Sequence, residues 1–194
     1  MPALNWRTAI KGAAGAGAGL FLWLVLSPIY AGFLAWSAEP LLRAFERPAV
    51  TRLNTDNTYI RIDRSDFGVR INHPEIPSDD LTFNVILLCA LFAGATRPLR
   101  DRNIFSFLLA SLLLAITHVL ATIVTVMSTC ATKMGTWSLE HYGKVARNVW
   151  GLSYHFYRLV LMYAIAFAIW WIVRPAENEE VEPARLRKKA RGRK

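Results

Sequence analysis

Residues 150–171 read WGLSYHFYRLVLMYAIAFAIWW, an apolar run that is long enough to cross a membrane as an α-helix, because about 20 residues suffice to span the hydrocarbon core. Three other stretches, 12–38, 81–96 and 103–132, are free of Lys, Arg, Asp and Glu, and 150–171 contains only Arg158 of these. The chain is 54% hydrophobic and 19% charged, and the charge is concentrated between these stretches. This pattern excludes an ordinary soluble domain and predicts an all-α membrane protein with four transmembrane helices.

The second apolar stretch is the shortest. LTFNVILLCALFAGA (81–95) can span where the bilayer thins or where flanking side chains snorkel, and a re-entrant segment is the alternative. A span is favoured because four crossings bring the basic segments to one side. The first stretch is longer than the core of a signal peptide, so we expect it to remain as an anchor rather than to be cleaved.

Lysine and arginine are concentrated in alternate segments. Two precede residue 12, three lie in 96–103 and eight lie in the tail from Arg174, whereas the longer loops 39–80 and 133–149 carry six and three. The positive-inside rule therefore predicts that both termini are cytoplasmic.

The loop after the first helix shows alternation typical of β-strands. In TYIRIDRSDFGVRIN (58–72), Ile60 and Ile62 share one face, and Val69 and Ile71 repeat the pattern after a turn at 64–68. We therefore expect a small β-hairpin between helices 1 and 2. AVTRL (49–53) is a candidate third strand, and 73–80 is predicted as an exit loop. So small a sheet needs its apolar face covered by the helices, by the membrane surface or by a partner.

Polar side chains recur inside the apolar helices. In helix 3 they are spaced to share one face, which should point into the bundle; they are Ser111, His118, Thr122, Thr125 and Thr129. In helix 4, His155 and Arg158 are three residues apart and share a face. A charge at mid-membrane costs roughly 3 kcal/mol or more, so Arg158 is expected to snorkel outward and to find a polar partner. The candidate partners are Thr122, Thr125 and Asn84.

Small residues open the first helix. Gly15 and Gly19 form a small-xxx-small pair, as do Ala13 and Gly17. Such pairs let helices approach closely in lipid. Two interpretations are equally open: packing within this chain, or a docking face for another membrane protein.

Three kinds of chemistry are candidates. Cys130, His155 and Arg158 would suit a cysteine transpeptidase or peptidase, because a thiolate needs a base and a nearby cation. Haem ligation by His118 and His155 fits poorly, since their depths differ by about 10 Å. A proton or ion path along helix 3 lacks any acidic residue in a span. The favoured interpretation is that His155 and Arg158 order the outer end of the bundle or bind a headgroup or partner, with no cofactor and no metal.

Cys89 and Cys130 lie at different depths and are predicted to be free thiols.

The tail ends in RLRKKARGRK (185–194). A basic segment beside a membrane span favours anionic lipid headgroups over nucleic acid, and no nucleic acid is expected. The candidate lipid contacts are Arg185, Arg187, Lys188 and Lys189.

The order of these parts resembles one family, the exosortase H-associated membrane proteins of Gram-negative bacteria. The features that carry the resemblance are the 12–38 anchor, the hairpin at 58–72, LTFNVILL (81–88) and the run HYGKVARNVWGLSYHFYRLVLMYAIAFAIWW (141–171). The resemblance implies an accessory subunit beside a protein-sorting transpeptidase in the inner membrane, and it carries over no catalytic residue. A membrane-embedded cysteine transpeptidase or peptidase is the first alternative, and a small transporter subunit the second.

The predicted organisation combines these inferences. In chain order it is a cytoplasmic N-terminus (1–11), helix 1 (12–38), a periplasmic hairpin segment (39–80), helix 2 (81–96), a cytoplasmic loop (97–103), helix 3 (104–130), a periplasmic amphipathic segment (131–149), helix 4 (150–173) and a cytoplasmic basic tail (174–194).

Overall fold

The computed structural model describes residues 6–46, 50–67, 73–95 and 98–174. Helices dominate it, and a small sheet lies between the first helix and the rest. The elements in chain order are α1 (Trp6–Phe45), β1 (Thr51–Asp56), β2 (Tyr59–Arg64), β3 (Glu75–Pro77), α2 (Asp79–Thr82), α3 (Asn84–Ala93), α4 (Asp101–Thr132), α5 (Thr136–His141), α6 (Lys144–Phe156), a π-helical turn (Tyr157–Leu161, here the π-turn) and α7 (Met162–Val173).

Within the residues that the structure describes, three helices are long and apolar enough to cross a membrane. They are α1, with 40 residues, α4, with 32, and the continuous helix from α6 to α7, with 30. The predicted membrane helices 1, 3 and 4 are confirmed in this sense, although helix 4 begins earlier than expected, at Lys144.

The expectation of four full spans is not confirmed. Predicted helix 2 is divided at Phe83 into α2, with 4 residues, and α3, with 10. Ten residues rise about 15 Å, which is about half of the hydrocarbon thickness. The physical reason lies in the flanking residues, because Asp79 and Asp80 precede the apolar run and Gly94 ends it.

The short helix α3 lies antiparallel to α1 in close contact. A methyl group added to Gly15 would lie 2.2 Å from the Cβ of Ala93, and one added to Gly19 would lie 2.7 Å from the Cβ of Cys89. Of the two interpretations of the Gly15 and Gly19 pair, the structure therefore shows packing within the chain. Gly17, by contrast, has no atom within 4 Å of an added Cβ.

Both ends of the described chain lie at the same end of the helix bundle. Gly94, which follows α3, lies beside Thr8 near the start of α1. Trp170 near the end of α7 packs on a cluster that includes Phe92 of α3. We call this end the terminal end, and the opposite end, which carries the strands, the sheet end.

The sheet has three antiparallel strands in the order β1-β2-β3. The tight turn of its hairpin lies between Asp56 and Tyr59, which pair across it, and Asn57 takes a positive φ of 54° there, as asparagine tolerates better than most residues. The predicted strand at 59–63 and the additional strand from AVTRL are thus present, but they form a hairpin with each other. The predicted exit loop contains β3, whose short backbone ladder with β2 was not foreseen. The strand expected at 69–72 lies outside the described residues.

The apolar face of the sheet is covered by helix α1. Ile60 and Ile62 are completely buried in one cluster with Leu34 and Leu42 of α1 and Trp137 of α5. Full burial of such a side chain stabilises by about 1.5–3 kcal/mol. Of the three covers expected for this face, the structure uses the helices.

Candidate functional site

The π-turn interrupts the last helix at the level of the polar side chains that the sequence analysis singled out. It spans Tyr157–Leu161, and the N–H of Met162 donates to the carbonyl of Tyr157, five residues back. Single π-turns of this kind are frequent at functional sites. Tyr157 points inward and its hydroxyl donates to the carbonyl oxygen of Leu81 at 3.3 Å, while Arg158 is exposed on the outside.

Arg158 forms an ion pair with Asp80, with 2.9 Å between Nη2 and Oδ2. Its Nη1 donates to the hydroxyl of Tyr154 at 3.1 Å. An exposed pair of this kind contributes about 0–1 kcal/mol in water and more where the effective dielectric is low. None of the three predicted partners of Arg158 is the observed one, because the acidic start of α2 lies beside the π-turn.

A pocket of about 350 Å³ surrounds this ion pair. Asp79 accepts a hydrogen bond from the hydroxyl of Ser27, and the indole N–H of Trp23 donates to the hydroxyl of Thr82 at 3.0 Å. Both contacts attach α2 to α1. The pocket thus has charged groups on one side and aromatic and aliphatic groups on the other. It is lined by Trp23, Asp79, Asp80, Phe83, Arg158, Leu159, Met162 and Tyr163.

A second polar group is fully enclosed and joins four helices. His118 is 0% exposed, with Nε2 at 2.7 Å from Oδ1 of Asn84 and Nδ1 at 2.9 Å from the hydroxyl of Tyr30. The side-chain amide of Asn84 donates to the carbonyl of Met162 at 2.8 Å. This network assigns the proton of the neutral ring to Nε2, because the amide oxygen can only accept. Every member is satisfied, which favours a structural role.

The other predicted interior residues are placed differently from one another. Thr122 and Thr125 are buried, and their hydroxyls donate to the carbonyls of His118 and Ala121 on their own helix. His155, in contrast, is exposed and lies edge-on to the ring of Tyr154. His155 and Arg158 both lie on the outer surface, on either side of the inward-pointing Tyr157. Their predicted role as contacts to a headgroup or partner stays a prediction.

The three candidate catalytic residues differ in exposure, because Cys130 is buried whereas His155 and Arg158 are exposed. Cys130 is 0% exposed and lies near Arg64, Glu46 and Asp66. Among the described residues, no hydrogen bond joins Cys130 to His155 or Arg158. Both cysteines are free, as predicted.

The cluster near Cys130 closes the sheet end of the molecule. Nη1 of Arg64 lies 2.6 Å from Glu46 and Nη2 lies 2.9 Å from Asp66, while the guanidinium lies 5.2 Å from the ring centre of Trp137. The hydrogen bond from Arg64 lowers the pKa of the Asp66 carboxyl. These contacts attach β2 to the helices, and within the described residues no group of three His, Cys, Asp or Glu side chains could hold a metal ion.

Sequence reasoning missed the acidic side of the pocket. Asp79 and Asp80 directly precede an apolar run, and Arg158 is the one charged residue within another. The opposite charges of these residues could have predicted an ion pair between the two apolar segments. Only the packing of the helices shows which carboxylate contacts the arginine. The contributions of Trp23 and Tyr163 had no signal in the sequence beyond their apolar surroundings.

Comparison with known proteins gives one result. A family model described as "Exosortase H-associated membrane protein" matches residues 5–176. No curated protein and no solved structure matches the chain.

Proposed function

The chain belongs to the family of exosortase H-associated membrane proteins, and from this membership we propose that it is a non-enzymatic accessory subunit of an exosortase-type sorting or export system. The match carries the proposal because it covers every described strand and helix. The partner would be another integral membrane protein of the bacterial inner membrane.

The surroundings of the sulfur atoms support a role without catalysis. Cys130 is enclosed by α4 and the sheet-end cluster, with its backbone carbonyl accepting a hydrogen bond from Ser138 at 2.7 Å. A nucleophile has to reach its substrate and to be activated by a neighbouring base. A fully buried Cys130 and an exposed His155 do not favour this.

The outer surface of the helices supports an intramembrane partner. Large apolar side chains are exposed on all three long helices, among them Phe21, Ile29, Leu112 and Leu152. Lipid covers such a surface as well as protein does, so the family membership, not the surface, selects a protein partner.

The orientation belongs to the same proposal. The terminal end carries Arg7, Lys11 and Arg174, and the tail beyond it contains the basic run with Arg185 and Lys188. By the positive-inside rule this end is cytoplasmic, and the tail residues are proposed to bind anionic lipid. The sheet end is then periplasmic.

The test is purification of the full-length protein from its own host in mild detergent, followed by identification of membrane proteins that elute with it. We expect an exosortase-type protein in the same peak, and loss of sorting-signal processing when the gene is deleted. Elution as a single species without such a protein, together with unchanged processing, contradicts the proposal.

A cysteine variant separates the accessory role from the enzymatic alternative. Cys130→Ser should restore processing in the deletion strain as well as the natural protein does, and Cys89→Ser serves as the matched control. Loss of processing in Cys130→Ser alone, at normal protein level, would support the enzyme instead.

A further inference from the structure

We propose that the pocket between α1, α2 and the π-turn binds the headgroup of a zwitterionic phospholipid, with its phosphate on Arg158 and its primary ammonium on Asp79 and Asp80. This site is independent of the proposed partnership, because it is formed within one chain.

The depth of the pocket suits a headgroup. From Leu159 the last helix has no charged residue until Arg174, whose guanidinium lies 3.7 Å from the ring centre of Trp171. These 15 uncharged residues rise about 22 Å, less than the hydrocarbon thickness of about 30 Å. The ion pair of Arg158 and Asp80 is therefore held at or below the level where hydrocarbon meets headgroups, and the bilayer thins there to reach it.

The neighbouring helix shows that the pocket is a polar notch in an otherwise apolar wall. Toward the sheet end, α1 continues past Ser27 with Ile29, Phe33 and Trp36 exposed. Charged groups surrounded by such a wall are costly unless a polar molecule reaches them. A lipid headgroup next to the protein is a polar molecule that is already present at that depth.

The donor and acceptor groups match both ends of a zwitterion. Arg158 donates one hydrogen bond to Tyr154 and places Nη2 in an ion pair with Asp80. An arginine has five N–H donors, and the remaining ones suit a phosphate. Asp79 and Asp80 offer carboxylate oxygens to an ammonium group. The rings of Trp23, Phe83 and Tyr163 line the same pocket and attract a cation through their faces.

The charge balance selects the class of lipid. Two carboxylates and one guanidinium give the pocket one net negative charge. A headgroup with both signs can place each next to its opposite, whereas a purely anionic headgroup adds repulsion. Phosphoethanolamine therefore fits, and phosphoglycerol does not.

The size and the outer edge of the pocket agree with this occupant. A volume of about 350 Å³ lies at the low end of ligand pockets, about 300–1,000 Å³, so it takes a headgroup and not a whole lipid. Below it toward the terminal end, α7 exposes Tyr163, Phe167 and Trp171, and Leu159 at the edge is 73% exposed. These side chains provide an apolar path for the acyl chains.

The test measures lipid retained by the purified, delipidated full-length protein after incubation with phosphatidylethanolamine or phosphatidylglycerol of equal chain length, counted by native mass spectrometry. We expect retention of phosphatidylethanolamine with a preference of about tenfold, which corresponds to about 1.4 kcal/mol. The double variant Arg158→Gln/Asp80→Asn should lose this preference. It removes both charges of the ion pair and leaves the hydrogen bond from Ser27 to Asp79 in place. Its fold is checked by its elution profile and by tryptophan fluorescence.

The chain offers a matched control for this variant. Arg61 and Glu75 form a pair on the sheet with the same 2.9 Å separation and similar exposure to that of Arg158 and Asp80. Arg61→Gln/Glu75→Gln should retain the lipid as the natural protein does. The proposal would be overturned by equal retention of the two lipids, or by unchanged retention in the pocket variant. It would also be overturned if inorganic phosphate or ethanolamine alone stabilised the protein as much as phosphatidylethanolamine does.

Discussion

Asn84 lies at the centre of a hydrogen-bond network that joins four helices. It accepts from His118 of α4, donates to the backbone of α7 and belongs to α3, and Tyr30 of α1 extends the network through the other ring nitrogen. His118 and Asn84 are buried, and Tyr30 is half-buried. An unsatisfied buried partner costs about 1–3 kcal/mol, so a single substitution here is felt in several helices.

Replacing Asn84 with leucine should therefore lower the free energy of unfolding by about 2 kcal/mol, because His118 and the carbonyl of Met162 lose their partner. The measurement is unfolding in detergent, followed by tryptophan fluorescence. Ser111→Ala is the control, since Ser111 is part-buried and bonds only to its own helix. A variant as stable as this control would show that the network is not stabilising.

The carboxyl of Asp66 makes the stability of the sheet end depend on pH. The hydrogen bond from Arg64 lowers its pKa in the folded protein, so the charged form stabilises the fold. This contribution is present above the unfolded pKa of about 4 and is lost as the pH falls through the lower folded value. We expect the difference in melting temperature between the natural protein and Asp66→Asn to be larger at pH 7 than at pH 3. A difference that does not change with pH would contradict this.

At the scale of elements, the contact of α1 with α3 depends on the absence of side chains. At Gly15 and Gly19 an added methyl would lie under 3 Å from atoms of α3, so the two helix backbones are nearly in contact. The short α3 has only ten residues and buries few large side chains of its own. The close approach of the two backbones compensates for this small buried area, because it increases the dispersion contacts along the length of α3.

Gly15→Val should accordingly destabilise the fold by about 1–3 kcal/mol or more, as overpacking of a tight contact does. Gly17→Val is the matched control, because its added side chain enters open space and changes only the helix propensity. The measurement is the melting temperature of both variants in the same detergent. If both variants melt alike, the α1–α3 contact does not hold α3 in place.

At the scale of the whole molecule, the positions of the contacts decide the topology. Of the helices in the described part of the chain, three are long enough to cross a membrane, and three crossings alone would place the two ends of that part on opposite sides. The packing of Gly94 beside Thr8 nevertheless returns the chain to the terminal end before α4 begins. The segment α2–α3 thus runs from the sheet end to the terminal end, and we predict that it acts as a fourth, thin crossing.

Single cysteines in a variant that lacks Cys89 and Cys130 test this crossing. Asn57→Cys, in the hairpin turn, should react with an impermeant maleimide added to whole cells whose outer membrane has been permeabilised. Leu99→Cys, which is exposed after α3, should react only after the inner membrane is also opened. Reaction of both in intact inner membranes would mean that α2–α3 is re-entrant and that the termini lie on opposite sides.

The sequence by itself determined the three long apolar helices, the strand at Tyr59 and the burial of four of the five polar residues singled out on α4. Hydropathy and periodicity suffice for these features because they act over neighbouring residues. The small residues Gly15 and Gly19 likewise predicted a close contact between helices, but they did not predict that the partner is α3. The tertiary structure alone decided that Arg158 meets Asp80 at the π-turn, that Cys130 is buried beside the sheet while His155 is exposed, and that α3 packs against Gly15 and Gly19. Each of these features depends on distances between residues far apart in the chain, and the packing of the helices sets those distances. The π-turn adds to this, because its one extra residue changes the direction in which the neighbouring side chains point.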